Sequence, residues 1–253
     1  MYLRYLCGQP HEVHDHFPFP VAGVLIRTLA VQVKIATSPS FNSTLELELG
    51  DVDQNIEEMA NLCDELFDSD ISTDSLTEPI MAFVRALHRA GLKEAFRTQI
   101  PSEIVLGCLR KAVIRLPDLH FISIVLADSL LNRLFLTLSD DDYKEGMAIL
   151  DKLIDFCGPG DQPGRYRKMA LRSALTASFF RFHTTWKPEH LERAINVIRT
   201  LLDGTSLEDP SRDLIIKIHS YFQQLRFDRS SARPNFENIV SSPLEPRSLF
   251  FDR

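Results

Sequence analysis

The stretch "AILDKLIDFCGPGDQPGRYRKMAL" (Ala148–Leu171) is matched further along the chain by "AINVIRTLLDGTSLEDPSRDLIIKI" (Ala194–Ile218). Each stretch contains an amphipathic run, a loop with Gly and Pro, and a second amphipathic run. Amphipathic runs of this period are typical of helices that bury one face, and Gly and Pro end such helices. Because short loops join antiparallel neighbours, the two stretches predict two consecutive helix pairs.

Composition and charge limit the class of protein. The chain has 253 residues, of which 44% are hydrophobic and 25% are charged, which is sufficient for a sizeable core. Its net charge of -7 disfavours a general nucleic-acid binder, because phosphate contacts require a positive field. Four separated cysteines without CxxC spacing, and no signal-peptide pattern, favour a reducing, cytoplasmic location. The most apolar window, Val21–Ala36, is too short to cross a bilayer, so no membrane span is expected.

Residues 1–52 differ in pattern from the rest of the chain. The segments "GVLIRTLAVQVKIATS" (residues 23–38) and "STLELELGD" (residues 43–51) contain β-branched residues or alternate apolar with polar residues. This pattern predicts two or three strands. So few strands form a poor independent domain, so the segment either packs on the helices or is the remnant of a larger β domain.

A helical period runs from residue 53 to residue 228 and predicts an all-α domain. Ser102, Ser139 and Pro188 mark helix starts by capping or first-turn chemistry. Residues 229–253 are rich in Pro and Ser and predict an irregular tail, whose apolar "SLFF" could cover the last helix pair. The predicted helices span residues 53–67, 73–92, 101–116, 119–138, 139–157, 164–183, 187–204 and 209–227.

The helix pairs share small and aromatic positions. An alanine lies early in the first helix, and an aromatic residue lies near the end of the second. These residues are Ala112, Ala148 and Ala194, and Phe135, Phe182 and Phe227. A small residue lets two helices approach closely, so the pattern predicts a helical-repeat stack with a period of roughly 40 to 48 residues. Ala148 and Ala194 are then expected at equivalent, close-packed positions.

The runs "DYKEGMAILDKLI", "ASFFRF" and "PEHLERAINVIRTLL" resemble degenerate tetratricopeptide-like repeats of large fungal proteins. Those proteins often carry a C-terminal CHAT (caspase-like) peptidase domain, which this chain lacks. The resemblance is best over about residues 140–228. It implies an α-solenoid, a scaffold that presents a groove to a protein partner.

Three groups of residues have side chains that could bind a metal or act in catalysis. His11, His14 and His16 could bind zinc or copper, but their spacing matches no established motif and a solvated loop is favoured, so no metal or cofactor is expected. Cys108 with His120, and Cys157 with His183, are the available nucleophile–base pairs. Their cysteines lie among apolar neighbours, which favours structural thiols.

A cluster of basic residues opens one of the predicted helices. It consists of Arg165, Arg167, Lys168 and Arg172, and it is either a solvated helix face or a rim that recognises an acidic peptide. The sequence thus predicts a non-catalytic protein-interaction module without cofactor or nucleic-acid partner, monomeric or weakly self-associating. Two alternatives remain: a substrate- or partner-binding arm of a CHAT-type peptidase system, and an enzyme with an unrecognised Cys/His site.

Overall fold

The computed structural model describes residues 19–36, 51–69, 71–92, 101–158 and 161–231. Within these ranges the chain forms nine helices and no strand, which confirms the all-α class. All eight helices expected from the sequence are present, and one more precedes them. The helices are α1 (Phe19–Ala36), α2 (Val52–Asp68), α3 (Thr73–Leu92), α4 (Glu103–Arg115), α5 (His120–Thr137), α6 (Asp140–Phe156), α7 (Asp161–Thr185), α8 (Pro188–Asp203) and α9 (Arg212–Ser231).

Helix α1 corrects the strand prediction for the N-terminal segment. Residues 23–36 are helical, and the β interpretation of this part of residues 1–52 is wrong. β-Branched residues lower helix propensity by only a few tenths of a kcal/mol each, which packing of an apolar stripe outweighs. The second expected strand, "TLELELG", lies outside the described residues. The buried stripe has helical spacing and consists of Ala22, Leu25, Ile26, Leu29 and Val33.

The chain divides into two compact units, Met1–Leu136 and Thr137–Arg253. In the first unit, α1 packs against α2 and α3, and α2 also packs against α4. Across the α2–α4 contact, Lys111 Nζ lies 2.7 Å from Asp64 Oδ1, and Arg115 donates a hydrogen bond of 2.8 Å to the Phe67 carbonyl. These contacts satisfy polar groups at the end of α2, where the helix has carbonyls without partners in the helix.

In the second unit, α7 packs against α6 and α8, and α8 packs against α9. Phe179 and Phe222 stack with their ring centroids 4.7 Å apart, which joins α7 to α9. Ala194 and Ile198 of α8 are buried in the same apolar core. Each helix of this unit therefore buries its apolar face against the next helix in the chain.

Residues 48 positions apart build the same linker twice. Leu138 precedes α6 with φ 59°, and Trp186 precedes α8 with φ 56°. The hydroxyl of Thr137 accepts a hydrogen bond of 3.3 Å from the backbone amide two residues further on, and Thr185 accepts the equivalent bond at 3.4 Å. Left-handed backbone is costly for residues other than glycine, so its recurrence shows that the two linkers share one local geometry.

An arginine also recurs at equivalent places in the helix pairs. Arg133 of α5 forms an ion pair with Glu103, the first residue of α4. Arg181 of α7 forms an ion pair with Asp140, the first residue of α6. Each arginine stands four positions before the last residue of its helix, so the second helix of each pair is tied to the start of the first.

The expected equivalence of Ala148 and Ala194 is wrong. Ala194 is 0% exposed, as expected, but Ala148 lies on the exposed face of α6. Aligning the two stretches by their identical residues shifts α6 relative to α8 by two residues. Two residues correspond to a rotation of about 200° around the helix axis, which exchanges the buried and exposed faces. By burial, Gly146 is the partner of Ala194, 48 positions earlier. The buried stripes are Tyr143, Gly146, Met147, Leu150 and Leu153 in α6, and Leu191, Ala194, Ile195, Ile198 and Leu201 in α8.

The other expected markers have mixed outcomes. Ser102 and Ser139 cap α4 and α6 as predicted, and Pro188 opens α8. Among the aromatic positions, Phe182 is buried whereas Phe227 is exposed. Helix α9 ends at Ser231, three residues into the expected tail, and the rest of that tail with its "SLFF" lies outside the described residues.

The corrected alignment predicts that the same substitution has unequal effects at two sites. We expect Ala194→Leu to lower the free energy of unfolding by about 1 to 3 kcal/mol, because the added atoms overpack the core. The matched Ala148→Leu should change it by less than about 0.5 kcal/mol, because that side chain is exposed. Urea denaturation measures both values. Equal losses in the two variants would restore the discarded alignment.

Candidate functional site

The four basic residues predicted from the sequence lie in the first half of α7, and we call them the basic face. Arg165 and Arg172 are exposed, whereas Arg167 and Lys168 are half-buried. Arg165, Lys168 and Arg172 are spaced three and four residues apart, which places them along one side of the helix. The structure therefore separates the predicted patch into two exposed arginines and two residues engaged with the protein itself.

Arg167 lies at the C-terminal ends of two other helices. Its Nε donates a hydrogen bond of 3.2 Å to the carbonyl of Ile154 in the last turn of α6. Its guanidinium also approaches Gly204 at the end of α8, 4.0 Å from the point that an added Cβ would occupy. A cation at a helix C-terminus is stabilised by the helix dipole. Arg167 thus has a structural role in addition to its charge.

Lys168 pairs with a carboxylate from the loop that joins α8 to α9. Its Nζ lies 2.8 Å from Asp209 Oδ2. The other carboxylate oxygen of Asp209 accepts hydrogen bonds from the Ser211 amide at 2.9 Å and hydroxyl at 2.6 Å. Hydrogen bonding to Lys168, and then to Ser211, holds the pKa of Asp209 well below its usual range. The Asp209 carboxylate is therefore ionised at neutral pH.

A shallow cleft between α7 and α8, the α7/α8 cleft, adjoins the basic face. Its cavity volume is about 60 Å³, and it is open to solvent on one side. Leu171 and Leu201 line the cleft and are each 4% exposed, while Gly204 leaves one wall without a side chain. A cleft with apolar surface and cations at its edge suits a ligand that is both acidic and partly apolar. The lining residues are Gly164, Arg167, Lys168, Leu171, Thr200, Leu201, Gly204 and Thr205.

A second polar cluster, not expected from the sequence, lies where α6, α7 and α8 meet. Tyr143 Oη is 3.2 Å from His190 Nδ1, and the guanidinium of Arg181 lies 5.8 Å from the Tyr143 ring centroid. Burial raises the pKa of Tyr143, against the opposing charge of Arg193. Burial also lowers the pKa of His190. Both groups are then neutral at pH 7, as suits a hydrogen bond inside a helix interface.

The cysteines of both cysteine–histidine pairs are buried. The Cys108 thiol makes a hydrogen-bonding contact with Cys63, and burial chiefly raises the Cys63 pKa. Cys157 lies next to the start of α7, whereas His183 lies near its end, against the rings of Phe179 and Trp186. A helix of that length separates its ends by about 35 Å. Burial also raises the pKa of Cys157, although the charge of Arg167 opposes this.

The remaining sequence expectations concern metals and membranes. His11, His14 and His16 lie outside the described residues, and within the described ranges no cluster of three possible metal-ligating side chains is present. One described helix, α5, is long and apolar enough to cross a membrane by length and composition, and half of it is buried within the protein.

Sequence reasoning identified the basic residues but missed their partners. Asp209 was visible only as an acid in an interhelical loop, and its contact with Lys168 spans 41 positions. Gly204 and Thr205, which line the α7/α8 cleft, follow α8 in the same loop region. Only packing of α7 against α8 brings these residues together, so no local sequence signal could have identified the set.

Comparisons with protein-family models, curated proteins and solved structures find no match to this chain. The resemblance to tetratricopeptide-like repeats of fungal proteins therefore stays a prediction. The basic face and the α7/α8 cleft are the features that carry a functional proposal.

The buried thiols predict slow reaction with thiol reagents. Cys63, Cys108 and Cys157 are at most 1% exposed, and in a Cys7→Ser variant they are the remaining cysteines. We expect Ellman's reagent at pH 7 to label them only after denaturant is added, because reaction requires an accessible thiolate. Rapid stoichiometric labelling of the native protein would contradict this and would favour the Cys/His enzyme alternative.

Proposed function

We propose that the chain is a non-catalytic protein-interaction module that binds an acidic, partly apolar segment of a partner protein. Arg165 and Arg172 would contact acidic side chains of the segment, and the α7/α8 cleft would accept an apolar one. The observation that carries the proposal is the location of two exposed arginines beside a cleft with apolar surface. Surfaces of this kind combine charge steering with apolar burial.

The charge distribution supports an acidic ligand. The whole chain carries a net charge of -7, so a cluster of four basic residues within eight positions is a local reversal of the prevailing field. Such a local field attracts acidic groups while the rest of the surface repels them. A nucleic acid would require a longer basic track to neutralise successive phosphates. An acidic peptide segment is therefore the favoured ligand class.

The features that the helix pairs share support the assignment of the chain to the class of protein-interaction modules. Residues 48 positions apart repeat the same linker, and the second helix of two pairs is tied by an arginine to the start of the first. Helical repeats of this kind commonly stack into solenoids that bind peptides. We extend the proposal to a tetratricopeptide-like α-solenoid acting as a cytoplasmic scaffold, as the sequence resemblance implies.

The same site would also serve a binding arm that captures the substrate or partner of a separate CHAT-type peptidase. That alternative differs in the identity of the partner and not in the chemistry of recognition. The enzyme alternative has less support, because burial raises the pKa of Cys63 and Cys157 and so disfavours their thiolates.

Fluorescence anisotropy with a short labelled peptide of Glu, Asp and Leu tests the proposal at low salt. We expect binding to the wild-type chain, and binding about tenfold weaker or more in the double variant Arg165→Glu/Arg172→Glu. Reversal of two charges turns two attractive contacts into repulsive ones. Both side chains are exposed, so the fold should tolerate the change.

The matched control is Lys152→Glu/Lys217→Glu, which makes the same change in net charge at exposed positions outside the basic face. This control should bind the peptide within about twofold of the wild type, since distant exposed charges are screened. Equal weakening in both double variants would show a general charge effect and contradict the site. Tighter binding of single-stranded RNA than of the peptide would contradict the ligand class.

A further inference from the structure

The loop between α8 and α9 has the composition of the proposed ligand. Its segment "SLED" (Ser206–Asp209) combines an apolar residue with two acids. Leu207 is 84% exposed and Glu208 is also exposed, while Asp209 reaches Lys168 of the basic face. An acidic and partly apolar segment of this chain thus already lies at the site where an external one would bind.

We propose that this loop is an internal ligand of the basic face, and that an acidic segment of a partner binds by displacing Asp209 from Lys168. The inference rests on the proposed function, and it adds that the loop regulates ligand binding at the basic face. The loop lowers the affinity of the site for weak acidic ligands, and only a segment that replaces the carboxylate on Lys168 gains full access.

The exposure of the ion pair makes an exchange feasible. The side chains of Lys168 and Asp209 are 37% and 25% exposed, so water reaches both partners. An ion pair that is partly in solvent contributes little net free energy, which a second carboxylate can replace. The internal carboxylate nevertheless competes effectively, because the chain holds it close to Lys168 at a high local concentration.

The loop is anchored at its ends, so release of Asp209 does not undock α9. At one end, the Thr205 hydroxyl donates to the Leu201 carbonyl at 2.5 Å. At the other, Arg212 donates to the carbonyls of Leu202, at 3.0 Å, and of Thr205. Phe222 and its apolar neighbours hold α9 in the core independently of these bonds. The exchange therefore involves a local movement between two fixed points.

Substitution of Asp209→Asn tests the exchange, because it removes the charge and keeps an oxygen that can accept from Ser211. We expect the variant to bind the labelled acidic peptide about fivefold more tightly than the wild type. The apparent affinity for the peptide rises because the internal carboxylate no longer occupies a fraction of the binding sites. A fivefold change in Kd corresponds to about 1 kcal/mol, which is the upper end of the range for a partly exposed ion pair.

Glu208→Gln is the matched control, since it removes one negative charge from the same loop at an exposed side chain. Its affinity should stay within about twofold of the wild type. If Asp209→Asn binds the peptide no more tightly than Glu208→Gln, or more weakly than the wild type, the internal-ligand proposal is overturned. Thermal melting of both variants establishes that they are folded.

A second measurement is independent of how the variants fold. A synthetic peptide with the loop sequence "GTSLEDPS" (residues 204–211) should compete with the labelled peptide for the wild-type chain, and its Asp-to-Asn version should compete more weakly. Absence of competition by the first peptide contradicts the proposal.

The outcomes distinguish this inference from the proposed function. If the wild type binds and Arg165→Glu/Arg172→Glu does not, while Asp209→Asn equals its control, only the internal-ligand proposal fails. If no form of the protein binds the acidic peptide, including Asp209→Asn, the proposed function fails as well. Binding by Asp209→Asn alone supports both.

Discussion

The second unit depends on one buried cation, Arg181. Its side chain carries a positive charge and is only 10% exposed. It pairs with Asp140, donates to the Leu138 carbonyl at 3.4 Å and lies over the Tyr143 ring. Burying a charge is costly unless such partners surround it. These contacts therefore stabilise the register in which the end of α7 packs against the start of α6.

That constraint extends along α7 to the candidate site. Helix α7 is continuous over 25 residues, with Arg181 near its end and the basic face in its first half. Since α7 also packs along α8, fixing one end of the helix fixes the position of Lys168 beside the end of α8 and of Arg167 beside Ile154. The same geometry leaves Arg165 and Arg172 in solvent. The packing of α7 against its neighbouring helices therefore positions the site. It places Arg167 and Lys168 in contacts with the protein and leaves Arg165 and Arg172 exposed.

Local patterns predicted most of the helices but little of the site. Periodicity identified eight helices, and capping chemistry at Ser102 and Ser139 identified two of their starts, because both are properties of adjacent residues. Helix α1 was mistaken for a strand because its β-branched residues resemble strand residues, and only docking on α2 and α3 decides between the two. Likewise, the basic residues were evident from sequence, whereas the contact of Lys168 with Asp209 depends on packing between distant segments.

The free energy of unfolding of Arg181→Met, compared with that of Arg193→Met, tests the role of the buried cation most directly. Arg193 also forms an ion pair, with Asp151 at 2.6 Å, but its side chain is 35% exposed. We predict that Arg181→Met lowers the free energy of unfolding in urea by about 2 to 3 kcal/mol, and Arg193→Met by about 1 kcal/mol or less. Similar small losses in both variants would contradict the account, since α7 would then be held in place without Arg181.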